Sequence, residues 1–159
     1  MRIIALADAQ KRGKTTSIKI AKEYFLNDPD LNQPRELINF YQSINNDFRA
    51  VVELLNGYRV AFCSGGDSKD IVSENYQYAL AHKCKLLVTA SRIASRNDSW
   101  DELAKLMTTI KCNDGLLLRS IDFWSNSPLL LDTDNDHRRL SELTAKHLVT
   151  VIKYAIERP

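Results

Sequence analysis

Apolar residues recur with two different periods along this chain, and together these periods predict strands that alternate with helices. Continuous apolar runs at 3–7 and 85–90 predict strands that are buried on both faces. Apolar residues spaced three and four apart predict helices after residue 13, over 71–80, over 100–107 and over 138–157. Pro29 ends the first of these helices, because proline has no N–H to donate and clashes with the preceding turn.

A β-hairpin is the clearest local prediction. Alternating side chains over 48–55 and again from 58 to 62 flank Asn56-Gly57, a preferred two-residue turn in which both positions take positive φ. Pro34 and the nearby asparagines favour a loop before the hairpin, with room for a short strand at 37–40. Residues 115–121 predict a further strand, and residues 122–137 predict a long loop.

The order of elements is β–loop–α–ββ–α–β–α–β–α, which predicts an α/β fold. We expect a mostly parallel sheet of about five strands with helices on both faces, and one antiparallel strand from the hairpin at an edge. The chain of 159 residues contains no repeat or linker, so it is predicted to form a single domain over 1–159.

The composition and charge of the chain limit the classes of partner that we expect it to bind. The 22 basic and 20 acidic residues give a net charge of +2, which argues against a nucleic-acid partner. Cysteines 63, 84 and 112 are odd in number and form no C-x-x-C pair, as is typical of a reduced cytoplasmic protein. No apolar segment reaches membrane-spanning length, so we expect no membrane partner. The acidic run at 131–136 is not a calcium loop, because His137 stands in place of the glycine and Leu143 in place of the glutamate.

The segment DAQKRGKTTS at 8–17 carries the main chemical signal. It matches the phosphate-binding pattern G-x-x-x-x-G-K-[ST] at Gly13, Lys14 and Thr15, whereas Asp8 replaces the first glycine. Gly13 would let the backbone approach a phosphate, Lys14 would supply positive charge, and Thr15 would coordinate Mg²⁺. The alternative is that GKT merely begins an ordinary helix, but its position between a buried strand and a helix favours nucleotide binding.

The chain resembles the P-loop NTPase superfamily in three segments, which are GKT at 13–15, SGGD at 64–67 and LLVTASR at 86–92. Within it, the hairpin and Trp124-Ser125 are similar to features of small bacterial and phage P-loop proteins. The resemblance implies Mg²⁺ held by Thr15 and Asp67, and ATP or another nucleoside triphosphate as ligand. It implies that the phosphates bind to Asp8, Ala9, Gln10, Lys11, Arg12, Gly13, Lys14, Thr15 and Thr16.

The expected catalytic residues are Lys14, Asp67, Arg92 and Arg96. Asp67 is also a good cap for a helix that starts near Ser68. Arg92 and Arg96 follow a strand, where the arginines of small kinases neutralise the transferred phosphoryl group. The alternative for both arginines is a solvated basic face.

The guanine-reading motif N-K-x-D and the D-x-x-G motif of signalling GTPases do not occur in the sequence. The sequence therefore predicts phosphoryl transfer from a triphosphate to water or to a small acceptor such as a nucleotide. A non-hydrolysing, nucleotide-binding regulatory module is the alternative, because the replacement of the first glycine by Asp8 is also compatible with binding without hydrolysis. An interaction protein with a vestigial loop is a third class.

Overall fold

The computed structural model describes residues 1–8, 13–29, 35–43, 46–92, 101, 115–119 and 134–157, with only the backbone at 8, 115–119 and 134–137. The strands and helices follow in the order β1 Arg2–Asp8, α1 Lys14–Asn27, β2 Arg35–Gln42, β3 Phe48–Leu54, β4 Arg59–Cys63, α2 Lys69–Ala81, β5 Leu86–Arg92, β6 Gly115–Arg119 and α3 Asp134–Glu157. The helix predicted over 100–107, apart from residue 101, lies outside the described residues, as do Cys112 and residues 122–133 of the predicted loop. The loop prediction was wrong at 134–137, because α3 already begins at Asp134.

The strands form one sheet of six in the order β2-β3-β4-β5-β1-β6. Strand β1 is parallel to β5 and β6, and β4 is parallel to β5, whereas β3 is antiparallel to both β2 and β4. The prediction of a mostly parallel sheet of about five strands was wrong, because the sheet is mixed and has a sixth strand. Strand β2 adds outside the hairpin, and most of its side chains are exposed, so it has no clear apolar period.

The hairpin lies where it was predicted, but its turn has a different form. Leu54 N donates to Tyr58 O over 2.9 Å, which leaves three residues in the loop. Gly57 has φ +76°, whereas among the described residues the non-glycine positions with positive φ are Asn46 and Lys83. A three-residue loop needs only one left-handed position. Asn56 instead accepts a hydrogen bond from Tyr58 N through its side chain, at 2.9 Å.

Two apolar clusters lie on opposite faces of the sheet. On one face α1 and α3 pack together over β1 and β4, with Phe25 and Phe62 at a ring separation of 5.7 Å. On the other face α2 covers Ile3, Ala5 and Leu87. Because both faces are covered, β1 is a continuous apolar run without alternation. Among the described residues, no helix is both long and apolar enough to cross a membrane.

Cys63 and Cys84 are buried free thiols in the cluster beneath α2. Burial raises the pKa of Cys84 to about 11 and raises the pKa of Cys63 still further. Both thiols therefore stay protonated in the folded protein at a pH where the unfolded chain ionises. Their contribution to stability is complete below pH 9 and is lost as the pH rises toward 11.

We therefore expect the free energy of unfolding to fall by about 2–4 kcal/mol between pH 8 and pH 10.5. Urea unfolding at the two pH values measures this loss, and Cys84→Ala should make it smaller. Cys63, whose pKa burial also raises, and Tyr78, whose pKa burial raises to about 12, maintain part of the loss in the variant. An identical loss in the wild type and Cys84→Ala would contradict the assignment to Cys84.

Candidate functional site

The predicted site residues that the structure describes lie at one edge of the sheet, where several strands end. Strands β1, β4 and β5 run in the same direction, so their carboxyl ends share this edge. Helix α1 begins there after β1, the SGGD segment follows β4, and Arg92 ends β5 opposite Asp8 of β1. The carboxyl edge of parallel strands is the usual position of ligand sites in α/β folds.

Gly13 begins α1 in the left-handed conformation, with φ +73°, and makes no side-chain cap. A Cβ atom at this position would lie 2.8 Å from the Ser141 Oγ of α3. The backbone angle therefore favours glycine, and a larger residue would also have to displace the Ser141 side chain. Residues Ala9 to Arg12 and the side chain of Asp8, which were predicted to bind phosphate, lie outside the described residues.

Lys14 and Thr15 occupy the first turn of α1. Lys14 is 7% exposed, which is unusual for a lysine. Thr15 Oγ1 donates a hydrogen bond to Asp47 Oδ1 at 3.2 Å, and Thr16 is exposed. The acidic residue beside the predicted Mg²⁺-binding hydroxyl is therefore Asp47, whereas the sequence predicted Asp67.

Asp47 is the functional candidate that sequence reasoning missed. Its Oδ1 also accepts from Ser64 Oγ at 3.1 Å, and Ser64 Oγ in turn accepts from Phe48 N at 2.9 Å. These bonds fix the carboxylate between the start of β3, the end of β4 and the first turn of α1. The local sequence gives no signal for this role, because an aspartate after two asparagines is typical of any turn.

Asp67 and Arg92 were predicted as a metal ligand and a phosphoryl clamp, and the structure joins them in one ion pair. Arg92 Nε donates to Asp67 Oδ1 at 2.7 Å, and Nη2 donates to Oδ2 at 2.5 Å. Ser68, not Asp67, caps α2 by accepting from Ile71 N. Arg96 lies outside the described residues.

The SGGD segment crosses the end of β5 in direct backbone contact. A Cβ atom on Gly66 would lie 2.1 Å from Ala90 O and 2.9 Å from Ser91 N. Only a residue without a side chain permits this approach. The crossing carries Asp67 over to Arg92, which explains why two residues that are distant in sequence form a bidentate pair.

The residues around Thr15 are compatible with Mg²⁺. The described part of the chain contains no group of three or more His, Cys, Asp or Glu side chains able to hold a metal. Mg²⁺, however, usually binds one or two carboxylates and completes its coordination with water and substrate phosphates. The Asp47 carboxylate and the hydroxyls of Thr15 and Ser64 are the oxygen donors that this mode of binding requires.

Thr15, Asp47 and Ser64 thus form one hydrogen-bonded cluster in the turn that also carries Lys14, and Asp67 and Arg92 form a second cluster at the same edge of the sheet. Comparison of the chain with protein-family models, with curated proteins and with solved structures found no match.

Proposed function

We propose that the protein binds a nucleoside triphosphate, with ATP as the expected one, together with Mg²⁺, and transfers its terminal phosphoryl group to water or to a small acceptor. One observation carries this proposal. Gly13 starts α1 in a left-handed conformation, Lys14 and Thr15 follow in the first turn, and the Thr15 hydroxyl contacts the Asp47 carboxylate.

The first turn of α1 supplies the phosphate-binding groups. Gly13 has no side chain that could accept hydrogen bonds from the backbone N–H groups of this turn, and the positive end of the helix dipole favours an anion. Lys14 adds a full positive charge at the same place. Arg92 contributes less, because both oxygens of Asp67 offset its charge. We therefore expect Lys14 to dominate the affinity for triphosphate.

Thr15 and Asp47 are the residues that would hold Mg²⁺ in this proposal. The ion would neutralise part of the phosphate charge. Ser64 keeps Asp47 in place through its hydrogen bond to Oδ1, so it positions the carboxylate. The role predicted for Asp67 passes to Asp47, because Asp47 is the acid that contacts Thr15.

A non-hydrolysing, nucleotide-dependent regulatory module is the second candidate function. The ion pair between Asp67 and Arg92 favours it, because it neutralises two of the residues predicted to act in catalysis. Both functions require triphosphate binding, whereas only the first requires turnover. Release of labelled phosphate from ATP under single-turnover conditions separates them.

Lys14→Ala tests the binding step. We expect MgATP affinity to fall about 10- to 100-fold, because a charge-assisted contact contributes about 1.5–3 kcal/mol. Isothermal titration calorimetry measures the change. The matched control is Lys19→Ala on the same helix, where the lysine is exposed, and this variant should bind like the wild type. Equal affinities in Lys14→Ala and the wild type, with both proteins folded by circular dichroism, would refute the proposal.

We also place the protein in the cytoplasm. The odd number of cysteines and the free thiols of Cys63 and Cys84 support a reducing compartment.

A further inference from the structure

A cavity of about 200 Å³ lies beside Asp47, between the sheet and α2. It is bounded by the end of β2 at Tyr41, the start of β3 at Arg49, the backbone at Gly65, and Glu74 on α2. Asp47 lines this cavity and also bonds to Thr15 of α1. The cavity is therefore adjacent to the proposed phosphate site.

A buried hydrogen-bond network fixes the polar wall of the cavity. Asn75 is 1% exposed and lies at the centre of this network. Its Oδ1 accepts a hydrogen bond from Arg49 Nε at 2.8 Å. Its Nδ2 donates to Gly65 O at 2.7 Å and to Thr89 Oγ1 at 3.2 Å. Arg49 Nη2 also pairs with Glu74 at 2.6 Å. The guanidinium is thus held in one orientation, and a fixed group loses less entropy when a ligand binds.

Two polar atoms on this wall have hydrogen-bonding capacity left over. Within the described part of the chain, Asp47 Oδ2 accepts no hydrogen bond and Arg49 Nη1 donates none. Gly65 preserves the space beside Asp47, since a Cβ there would lie 3.2 Å from Oδ2. The cavity therefore offers a carboxylate acceptor and a guanidinium donor to one ligand.

Tyr41 gives the cavity an aromatic wall. It is the register partner of Arg49, and 56% of it is exposed. Arg49 and Glu74 neutralise one another, which leaves the negative charge of Asp47 to repel an anion. The cavity suits a neutral ligand that both donates and accepts hydrogen bonds and that has an apolar face for the ring. A sugar ring has all of these properties.

We propose that this cavity binds a single sugar ring, which carries the hydroxyl that accepts the phosphoryl group. At about 30 Å³ per water, the cavity holds about seven waters, which is the size range of one such ring. Binding of the sugar stands on the cavity alone, whereas its role as acceptor rests on the proposed function.

The transfer itself is a simple displacement. The sugar hydroxyl oxygen forms a bond to the γ-phosphorus, and the bond from that phosphorus to the β–γ bridging oxygen breaks. The bridging oxygen keeps the electron pair and leaves with the nucleoside diphosphate, while the hydroxyl proton passes to water. The cavity is suited to this role because Asp47, which lines it, contacts Thr15 at the phosphate site.

Amide chemical shifts of the full-length protein test the binding without nucleotide. D-ribose and D-glucose are the probes, and tetrahydropyran is a ring control without hydroxyls. We expect saturable shifts at the Gly65 amide and at the Asn75 side-chain amide with at least one sugar, and none with tetrahydropyran. Tyr41→Ala should weaken sugar binding at least about threefold, because it removes the aromatic face. Tyr154→Ala, at a tyrosine of similar exposure on α3, should not.

Three results would overturn the inference: no saturable shift with either sugar across the millimolar range, equal sugar binding in the two tyrosine variants, or tetrahydropyran binding as strong as that of the sugars.

The Lys14→Ala variant distinguishes a failure of the sugar site from a failure of the proposed function. If the variant retains both ATP and sugar binding, the proposed function fails and the sugar site stands. If the variant loses ATP binding, the nucleotide site stands whether or not the wild type binds the sugars.

Discussion

Gly66→Ala is expected to destabilise the protein by about 3 kcal/mol or more, at the upper end of what overpacking costs. The added Cβ would lie 2.1 Å from Ala90 O and 2.4 Å from Ala90 C, and both are backbone atoms. Strand β5 lies between β4 and β1, so it cannot move aside without breaking pairings in the sheet. Urea unfolding monitored by circular dichroism measures the loss.

Gly57→Ala is the matched control for this substitution. Gly57 has a left-handed backbone, but a Cβ there would meet no atom within 4 Å. It therefore reports backbone strain alone, which costs about 1–2 kcal/mol. If Gly66→Ala were no more destabilising than Gly57→Ala, the close crossing of the SGGD segment over β5 would be refuted. In that case the position of Asp67 over Arg92 would need another cause.

Asn75→Leu is expected to cost about 2–4 kcal/mol, because the substitution removes three hydrogen bonds at a buried position. Leucine has a similar volume, so most of this loss comes from polar groups that are left without a partner. Gly65 O and Arg49 Nε are the most affected. Chemical denaturation measures the loss of stability. The same variant should also weaken sugar binding, because Arg49 loses the hydrogen bond from its Nε to Asn75 that helps to orient its guanidinium.

Asn39→Leu provides the comparison for this second substitution. Asn39 is exposed on β2 and accepts one hydrogen bond from the Tyr78 hydroxyl at 2.7 Å. Exposed substitutions of this kind usually change stability by no more than about 0.5 kcal/mol. Similar losses in the two variants would mean that the buried network beneath the cavity does not contribute to stability.

The apolar periods of the sequence were enough to locate most of the elements. Strands β1 and β5 were predicted because continuous apolar runs need a cover on both faces, and α1, α2 and α3 because their apolar residues repeat at helical spacing. The order in which the strands pair could not be predicted from the apolar periods. Strand β2 is mostly exposed, so hydrogen bonds to β3, and not an apolar pattern, define its place outside the hairpin.

The candidate site was predictable only where its residues are local in sequence. Gly13, Lys14 and Thr15 lie at the start of α1 as expected, because the motif and the helix boundary coincide. Asp47 was missed because the pairing of β3 with β4 brings it to Thr15 from 32 residues away. The contact between Asp67 and Arg92 depends on the close crossing at Gly66, which the glycine pair did not reveal without the tertiary structure.

The position of β1 between β5 and β6 has a consequence for synthesis on the ribosome. Its first residue, Arg2, pairs with Leu86, which is 86 − 2 = 84 residues later in the chain. At about 5–20 residues per second, the intervening chain takes roughly 4–17 s to make. Throughout that interval the apolar residues 3–7, which are buried in the finished fold, have no neighbouring strand. The nascent chain thus carries an unpaired apolar segment for several seconds, and we expect chaperones that bind emerging polypeptides to bind it there.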